Sequence, residues 1–396
     1  MIKYEYYKKA LSNESMPAAF VDLDLFDANV EAIRKRAGDK NIRIASKSIR
    51  CVNLMRRILD SSPQFQGIMC YTATEALWLS EQGFDDLLVA YPTVQVEQIR
   101  AVAKAVKAGK KIYLMTDAIA HLARIQAIAE SEQVTIPICV DLDMSSRWSF
   151  LHFGVYRSGL WNLDTLTQYL SDLVKFPNLK LVAAMGYEAQ IAGVGNKSKG
   201  KGLMQGVLTL LQRSSKKEVA KRRAAMIALI RSKVDSLQIV NGGGTGSMES
   251  TREEEHVTEI AAGSGFYAPT LFDAYSHFRH EPAVGYAIEI VRNSQKNIYT
   301  CLGGGYVASG TTDKSKAPSI YLPEGATLFP NEMAGEVQTP IMYKGSITLN
   351  IGDPVFLRHS KAGELCEHFE SLCLIRDGKV VNRVETYRGA GQCFLG

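Results

Sequence analysis

No apolar run in this 396-residue chain approaches the roughly 20 residues that a helix needs to cross a bilayer. The first fifteen residues, MIKYEYYKKALSNES, are polar and lack the apolar core of a secretory signal. No CxxC pair occurs among the seven cysteines, at 51, 70, 139, 301, 366, 373 and 393. Several of them, Cys70 and Cys139 among others, lie inside apolar runs. They are expected to be reduced, mostly buried thiols of a soluble, cytoplasmic protein. Charge of one sign is also scarce. Charged residues make up 22% with both signs mixed, and the net charge is +5. The basic excess is local: from Asn196 to Val234 eleven Lys or Arg meet one acid, Glu218, with no aromatic residue between them. This pattern argues against a nucleic-acid partner. It reads as a solvated loop and helix face that includes Lys216, Lys217, Lys221, Arg222 and Arg223, with a lid drawing in anionic substrates as the sharper alternative.

Short apolar runs alternate with helical periodicity through the first two thirds of the chain. Strands are expected at 18–24, 42–47, 66–72, 87–92, 112–116, 136–143, 181–188, 237–241 and 258–262. Amphipathic helices are expected at 27–37, 96–108 and 117–130, the last with Asp117 as its N-cap. Leaving out the first run, eight strands remain, and eight parallel strand–helix units close into a (β/α)8 barrel. The barrel is placed at residues 16–280. Beyond it, short strands at 284–293, 296–302, 344–350, 354–358, 371–376 and 379–387 suggest a separate all-β domain over 281–396, with 1–15 as a candidate source of a further strand. Asp377-Gly378 is a two-residue hairpin signal, and 308–340 reads as a long loop.

Two signals carry chemistry. The run Ile42–Ala45 leads through Ser46 to Lys47, so a strand ends on an amine. Far downstream, Gly242, Gly243, Gly244, Thr245, Gly246 and Ser247 form a glycine-rich turn after another strand. An amine condenses with an aldehyde, and backbone amides of a glycine turn can approach a phosphate. Together they suit a phosphorylated aldehyde cofactor. Taken singly, a lysine is most often solvated and a glycine cluster is most often only a turn. Lys47, Glu188 and the glycine turn all fall at the C-terminal ends of expected strands, where such barrels place catalysis.

Six ordered segments make the reading more specific. They are Pro17–Asp24, Ile44–Ser48 around Lys47, Arg157-Ser158-Gly159, Gly186-Tyr187-Glu188-Ala189-Gln190, Gly243–Ser247 and Ala262–Tyr267. With them the chain resembles the fold-type III pyridoxal-phosphate enzymes over nearly its whole length. That group comprises alanine racemase and the D-threonine aldolase, D-serine dehydratase and 3-hydroxyaspartate dehydratase branch, and the likeness is greatest to the latter branch. The resemblance implies pyridoxal 5′-phosphate bonded to Lys47. It implies catalytic roles for Lys47, Tyr187 and Arg157. It implies cofactor contacts from those three and from Gly243, Gly244, Thr245, Gly246, Gly263, Ser264 and Gly265. Gln190 departs from the histidine of the family pattern, and Arg147 rivals Arg157 for the contact to the cofactor's phenolic oxygen. Lys47 is expected to be buried at the barrel mouth, which would lower its pKa.

The activity implied is a lyase, aldolase or dehydratase, acting on D- or β-hydroxy amino acids. A racemase with Tyr306 as a second base is the alternative, and a non-catalytic cofactor- or phosphate-binding barrel is the rival from another class. The lyase branch also implies a divalent metal, zinc or manganese, on the β domain. Cys366 and His368 are the candidate ligands, in reversed order, and His359 is a further one. A small amino acid substrate and a homodimer complete what the resemblance implies.

Overall fold

The computed structural model describes residues 3–148, 151–197 and 202–395. The chain divides into two compact units. One comprises Ile33–Lys47, Met55–Gly263 and the last residues from Phe394. The other comprises the residues up to Ala32, Ser48–Leu54 and Ser264–Cys393. Among the described residues no helix is long and apolar enough to cross a membrane.

The first unit is a closed barrel of eight parallel strands, each paired with the next in chain order and the last with the first. The strands are Asn41–Ala45, Phe65–Cys70, Leu87–Pro92, Ile112–Thr116, Ile136–Asp141, Leu179–Gly186, Ile239–Gly242 and Glu259–Ala262. They are the eight expected. The reason is visible in their burial: residues of both parities along Leu87–Ala90, Ile138–Asp141 and Leu181–Gly186 are shielded, so a continuous apolar run serves where an alternating one would not. Buried apolar side chains of the barrel strands form a cluster of Leu88, Ala90, Met115, Cys139, Val182, Ala183 and Met185, with Met69, Tyr113 and Ile239 packed against it. A polar cluster is also buried within the barrel strands. Arg43 Nε and Nη2 donate to the two oxygens of Glu259 at 2.6 and 2.9 Å, and Asn241 Nδ2 donates to Glu259 Oε1 at 2.8 Å. Arg43 Nη1 reaches the Asp86 carbonyl at 2.7 Å and its carboxylate at 2.9 Å.

Helix starts follow local chemistry. Asn162 and Thr165 form a reciprocal capping box that opens Leu163–Leu173. Asp117 does not cap the helix after the fourth strand, which runs Ile119–Ser131 from Ala118. Its carboxylate instead meets the His121 ring at 3.0 Å. The basic segment folds as a 30-residue helix, Gly202–Arg231. The expected solvated face does not extend to Arg223, which is 1% exposed, nor does Arg222 swing free, since it donates to the Ser145 carbonyl at 2.9 Å. Lys199 and Lys201 of the proposed lid lie outside the described residues.

The second unit is a nine-stranded sheet. Its pairings are antiparallel except between Ala18–Asp22 and Ser371–Arg376, which run parallel. Of the segment 1–15, the described residues 3–15 supply no strand. Lys3–Ala10 is a helix, because Tyr4 and Tyr7, three apart, are both buried and anchor their hydroxyls on Pro354 O at 3.0 Å and Asp22 Oδ2 at 2.7 Å. The first apolar run contributes its strand to this sheet, between Val284–Gln295 and Ser371–Arg376. The expected strand at 344–350 is absent, since the Ile347 amide donates to the Tyr343 hydroxyl at 3.2 Å and the run folds back on itself. The stretch 308–340 expected to be a loop contains the strands Ser319–Leu322 and Thr327–Leu328 and the start of a third, Gln338–Met342. The hairpin at Asp377-Gly378 forms with φ of +52° and +69°, the left-handed pair that this turn needs.

Six of the seven thiols are buried and Cys393 is exposed. Burial pushes the Cys70, Cys139 and Cys366 thiols well up, away from the reactive thiolate. Ellman's reagent is therefore expected to titrate one thiol quickly in the native protein and the other six only in denaturant. Cys393→Ser should abolish the fast phase. A second fast thiol would mean that one unit opens readily.

Candidate functional site

The C-terminal rim of the barrel gathers most of the expected residues. Lys47 sits in a short 3-10 turn, Ser46–Ser48, directly after the first strand. It is exposed, so the burial expected of it is absent. Lys47 has passed the end of the strand, whose last residue is Ala45.

The sixth strand ends at Gly186 and delivers Tyr187 and Glu188. Tyr187 is half-buried. Burial, followed by the neighbouring Glu188 charge, pushes its phenol up to about 12, so it is a neutral donor. Glu188 is 1% exposed. Burial opposes its ionisation, yet its pKa lies below the ordinary carboxylate value because the Arg223 guanidinium and the Thr251 and Ser247 hydroxyls outweigh that penalty.

The glycine turn follows the seventh strand. Gly243 has φ of +74°, and a Cβ there would meet Ile260 at 3.0 Å. A Cβ at Gly244 would meet Ala192 at 3.0 Å and the Tyr187 ring at 3.2 Å, so only glycine lets the turn approach that ring. Not all of its amides face outward. Gly243 N–H donates to Glu188 Oε2 at 3.2 Å and Gly244 N–H to Ser247 Oγ at 3.1 Å. The Thr245 carbonyl accepts from Arg36 Nη2 at 2.7 Å. Gly246 N–H has no protein partner among the described residues. Gly263 ends the eighth strand's exit. Ser264 and Gly265 open a short helix, Ser264–Tyr267, that belongs to the other unit.

Arg157 lies at the rim and Arg147 does not share its setting. Arg157 Nε donates to Asp141 Oδ2 at 2.5 Å and Nη2 to the Ala90 carbonyl at 2.6 Å, and its guanidinium lies over the Tyr91 ring at 4.6 Å. Arg157 is thus held by the ends of the third and fifth strands. Burial pushes Asp141 up to about 7, against the opposing pull of Arg157. Arg147 is 41% exposed, pairs with Asp143 at 2.7 Å and lies over Trp161 at 4.8 Å. Gln190 is buried and donates to the Met144 carbonyl at 2.7 Å and to Ser215 at 3.0 Å, a structural anchor.

Sequence reasoning missed Arg223, Arg36, Thr251 and the anchoring role of Asp141. For Arg223 a signal existed. It lies at helical spacing with the buried Val219, Met226, Ile227 and Ile230, so its position belongs to the apolar face.

The metal candidates lie in the other unit. Cys366 is 1% exposed and donates its thiol to the Ile49 carbonyl at 3.4 Å. The His368 ring stacks on Tyr306 at 4.3 Å between centroids. Tyr306 itself packs against Tyr286 and Phe369. His359 is 3% exposed, and burial pushes its pKa down to about 3, so its ring is neutral. Neither of its ring nitrogens has a hydrogen-bond partner. Among the described residues no group of three or more His, Cys, Asp or Glu is placed to hold an ion. The Cys366 thiol is committed to a carbonyl and the His368 ring is stacked, so of the three candidates only His359 has ring nitrogens without a partner among the described residues, and one imidazole is too few to hold a divalent metal.

A family model, alanine racemase, N-terminal domain, matches residues 21–270, well over half of the chain. The chain belongs to that family. Among curated relatives of this alanine racemase-like chain is a D-threonine aldolase of Arthrobacter sp, 24% identical over 379 residues, covering 93% of this chain and 91% of the relative. Among solved structures, D-threonine aldolase from Filomicrobium marinum superposes with a TM-score of 0.79 at 16% identity, covering 97% of both chains. D-threo-3-hydroxyaspartate dehydratase from Delftia sp. HT23 superposes with a TM-score of 0.74 at 16% identity, covering 95% of this chain and 98% of that one. These likenesses establish the alanine racemase-like fold, barrel and β-sheet unit together.

Proposed function

We propose that this protein is a pyridoxal-phosphate-dependent lyase of D- or β-hydroxy amino acids. One observation carries the reading: an exposed amine, Lys47, follows one barrel strand, and on the same rim a glycine turn has a Gly246 amide without a partner among the described residues and meets the Tyr187 ring closely at Gly244. Similarity to a D-threonine aldolase and a hydroxyaspartate dehydratase supports the lyase class.

The residues present fit the cofactor. Lys47 would bond its aldehyde carbon, Thr245 and Gly246 would meet the phosphate, Arg157 the phenolic oxygen and Tyr187 the ring. When bound, the cofactor supplies an electron sink for the pair left on the substrate Cα. With its amine free, Lys47 Nζ would be the base beside the substrate Cα and would take or return its proton. Asp141 keeps Arg157 in one orientation, so the cation is preorganised rather than recruited. Loss of the Cα proton and the β-hydroxyl as water, followed by hydrolysis, would give a keto acid and ammonia; loss of the β-hydroxyl proton with Cα–Cβ cleavage and protonation of Cα would give an aldehyde and glycine. A homodimer and a cytoplasmic setting complete the reading. The seven free thiols support the second, and light scattering tests the first.

The deciding experiment incubates the protein and pyridoxal phosphate in heavy water with a panel of D- and L-amino acids, β-hydroxy ones included. Mass spectrometry and chiral separation follow the products. A keto acid, or glycine with an aldehyde, is expected. Deuterium at Cα with inversion and no cleavage would make the protein a racemase. No turnover and no borohydride-stable adduct on Lys47 would leave a phosphate-binding barrel.

A further inference from the structure

We propose that Glu188 is a positioning residue for the phosphate turn: it is the buried carboxylate on which the Gly243–Ser247 loop is shaped, and Arg223 holds it in place. The inference rests on the cofactor reading above and assigns the internal bracing of that same site.

Glu188 and the groups around it belong to the barrel unit. Both carboxylate oxygens are saturated. Oε1 accepts from Ser247 Oγ at 2.9 Å and from Thr251 Oγ1 at 2.6 Å. Oε2 accepts from Gly243 N at 3.2 Å and from Arg223 Nη2 at 2.5 Å. Three of the four donors are in the turn or in the helical turn that follows it, Met248–Thr251. Arg223 comes from the long helix, donates also to the Gly186 carbonyl at 3.0 Å and pairs with Glu254. A carboxylate shielded from water and met by four charge-assisted or hydroxyl donors is held in one geometry.

The consequence is directional. By engaging the Gly243 amide, Glu188 turns that N–H inward, and Ser247, fixed by Glu188, engages the Gly244 amide. The loop therefore offers a ligand the amide of Gly246 instead. Arg36 braces the opposite side through the Thr245 carbonyl and a pair with Glu249 at 2.6 Å. Glu188 follows Tyr187 in the chain, so one residue ties the ring contact of the sixth strand to the phosphate contact of the seventh. Glu188 touches neither substrate nor cofactor in this account and acts through the loop.

The test compares wild type, Glu188→Gln and Ser247→Ala for binding of three probes: pyridoxal phosphate, pyridoxal without phosphate, and inorganic phosphate. The aldehydes are followed by absorbance and by borohydride trapping on Lys47, and inorganic phosphate by calorimetry. Glu188→Gln should weaken pyridoxal phosphate and inorganic phosphate at least tenfold while pyridoxal changes less than twofold. Ser247→Ala should act in the same direction, more weakly, and it preserves the test if Glu188→Gln does not fold. Equal weakening of pyridoxal and pyridoxal phosphate, or no change in either, overturns the inference while the Lys47 adduct keeps the cofactor reading. A wild type that forms no Lys47 adduct but loses inorganic phosphate on Glu188→Gln overturns the cofactor reading and keeps this one. A wild type that binds none of the probes overturns both.

Discussion

Lys47→Ala is expected to abolish the borohydride-stable adduct and to lower turnover by roughly 10³-fold or more, since loss of a positioned base alone costs about 10²–10⁴. The same substitution should leave the folded state nearly unchanged. Lys47 is exposed and lies in the turn after the strand, so its truncation opens no cavity and breaks no ladder bond. The pairing of the two readouts is what makes the test sharp. Catalysis and adduct should vanish while circular dichroism and the thermal midpoint stay where they were. A Lys47→Ala protein with wild-type turnover would remove the amine from the mechanism and with it the cofactor reading.

Arg43→Ala should act in the opposite way, on stability before activity. Arg43 is fully buried and Glu259 is 5% exposed. The guanidinium meets the carboxylate through two parallel bonds, and truncation strands Glu259 inside the barrel with Asn241 as its remaining donor. Breaking a buried pair from one side costs about 3–5 kcal/mol. Urea denaturation should read that loss directly. Arg43→Met with Glu259→Gln removes the stranded charge while the introduced amide oxygen still accepts from Asn241, and it should recover more than half of the lost stability. A double variant as unstable as the single one would show that the loss comes from packing volume and not from charge.

The two substitutions lie four residues apart, Arg43 on the first strand and Lys47 in the turn that follows it, and the contrast between them reflects depth in the barrel. Arg43 lies in the middle of its strand and is buried, whereas Lys47 follows the strand's end and is exposed. The barrel interior keeps its ions matched, and the rim leaves an amine in contact with solvent where a ligand can reach it.

Much of this was legible from the chain alone. Continuous apolar runs at regular spacing determine eight buried parallel strands, because strands shielded on both faces tolerate no alternation. Strand ends then place Lys47, Glu188 and the glycine turn on one rim, because every parallel strand of a closed barrel ends on the same side. The hairpin at Asp377-Gly378 follows from local backbone preference. Pairings over long sequence distance were not legible. Ala18–Asp22 looks like any barrel strand, and only its neighbours Val284–Ala287 and Leu372–Ile375 assign it to the sheet. Arg157 and Arg147 are equivalent in sequence, and the distinction between them is Asp141 and the Ala90 carbonyl. The buried state of Arg223 depends on Glu188, 35 residues away, and on Glu254, 31 residues away. Local periodicity and turn chemistry are written within a few residues and survive in the sequence. Charge compensation and side-chain exposure depend on which distant segments the fold brings together, and only the tertiary structure decides them.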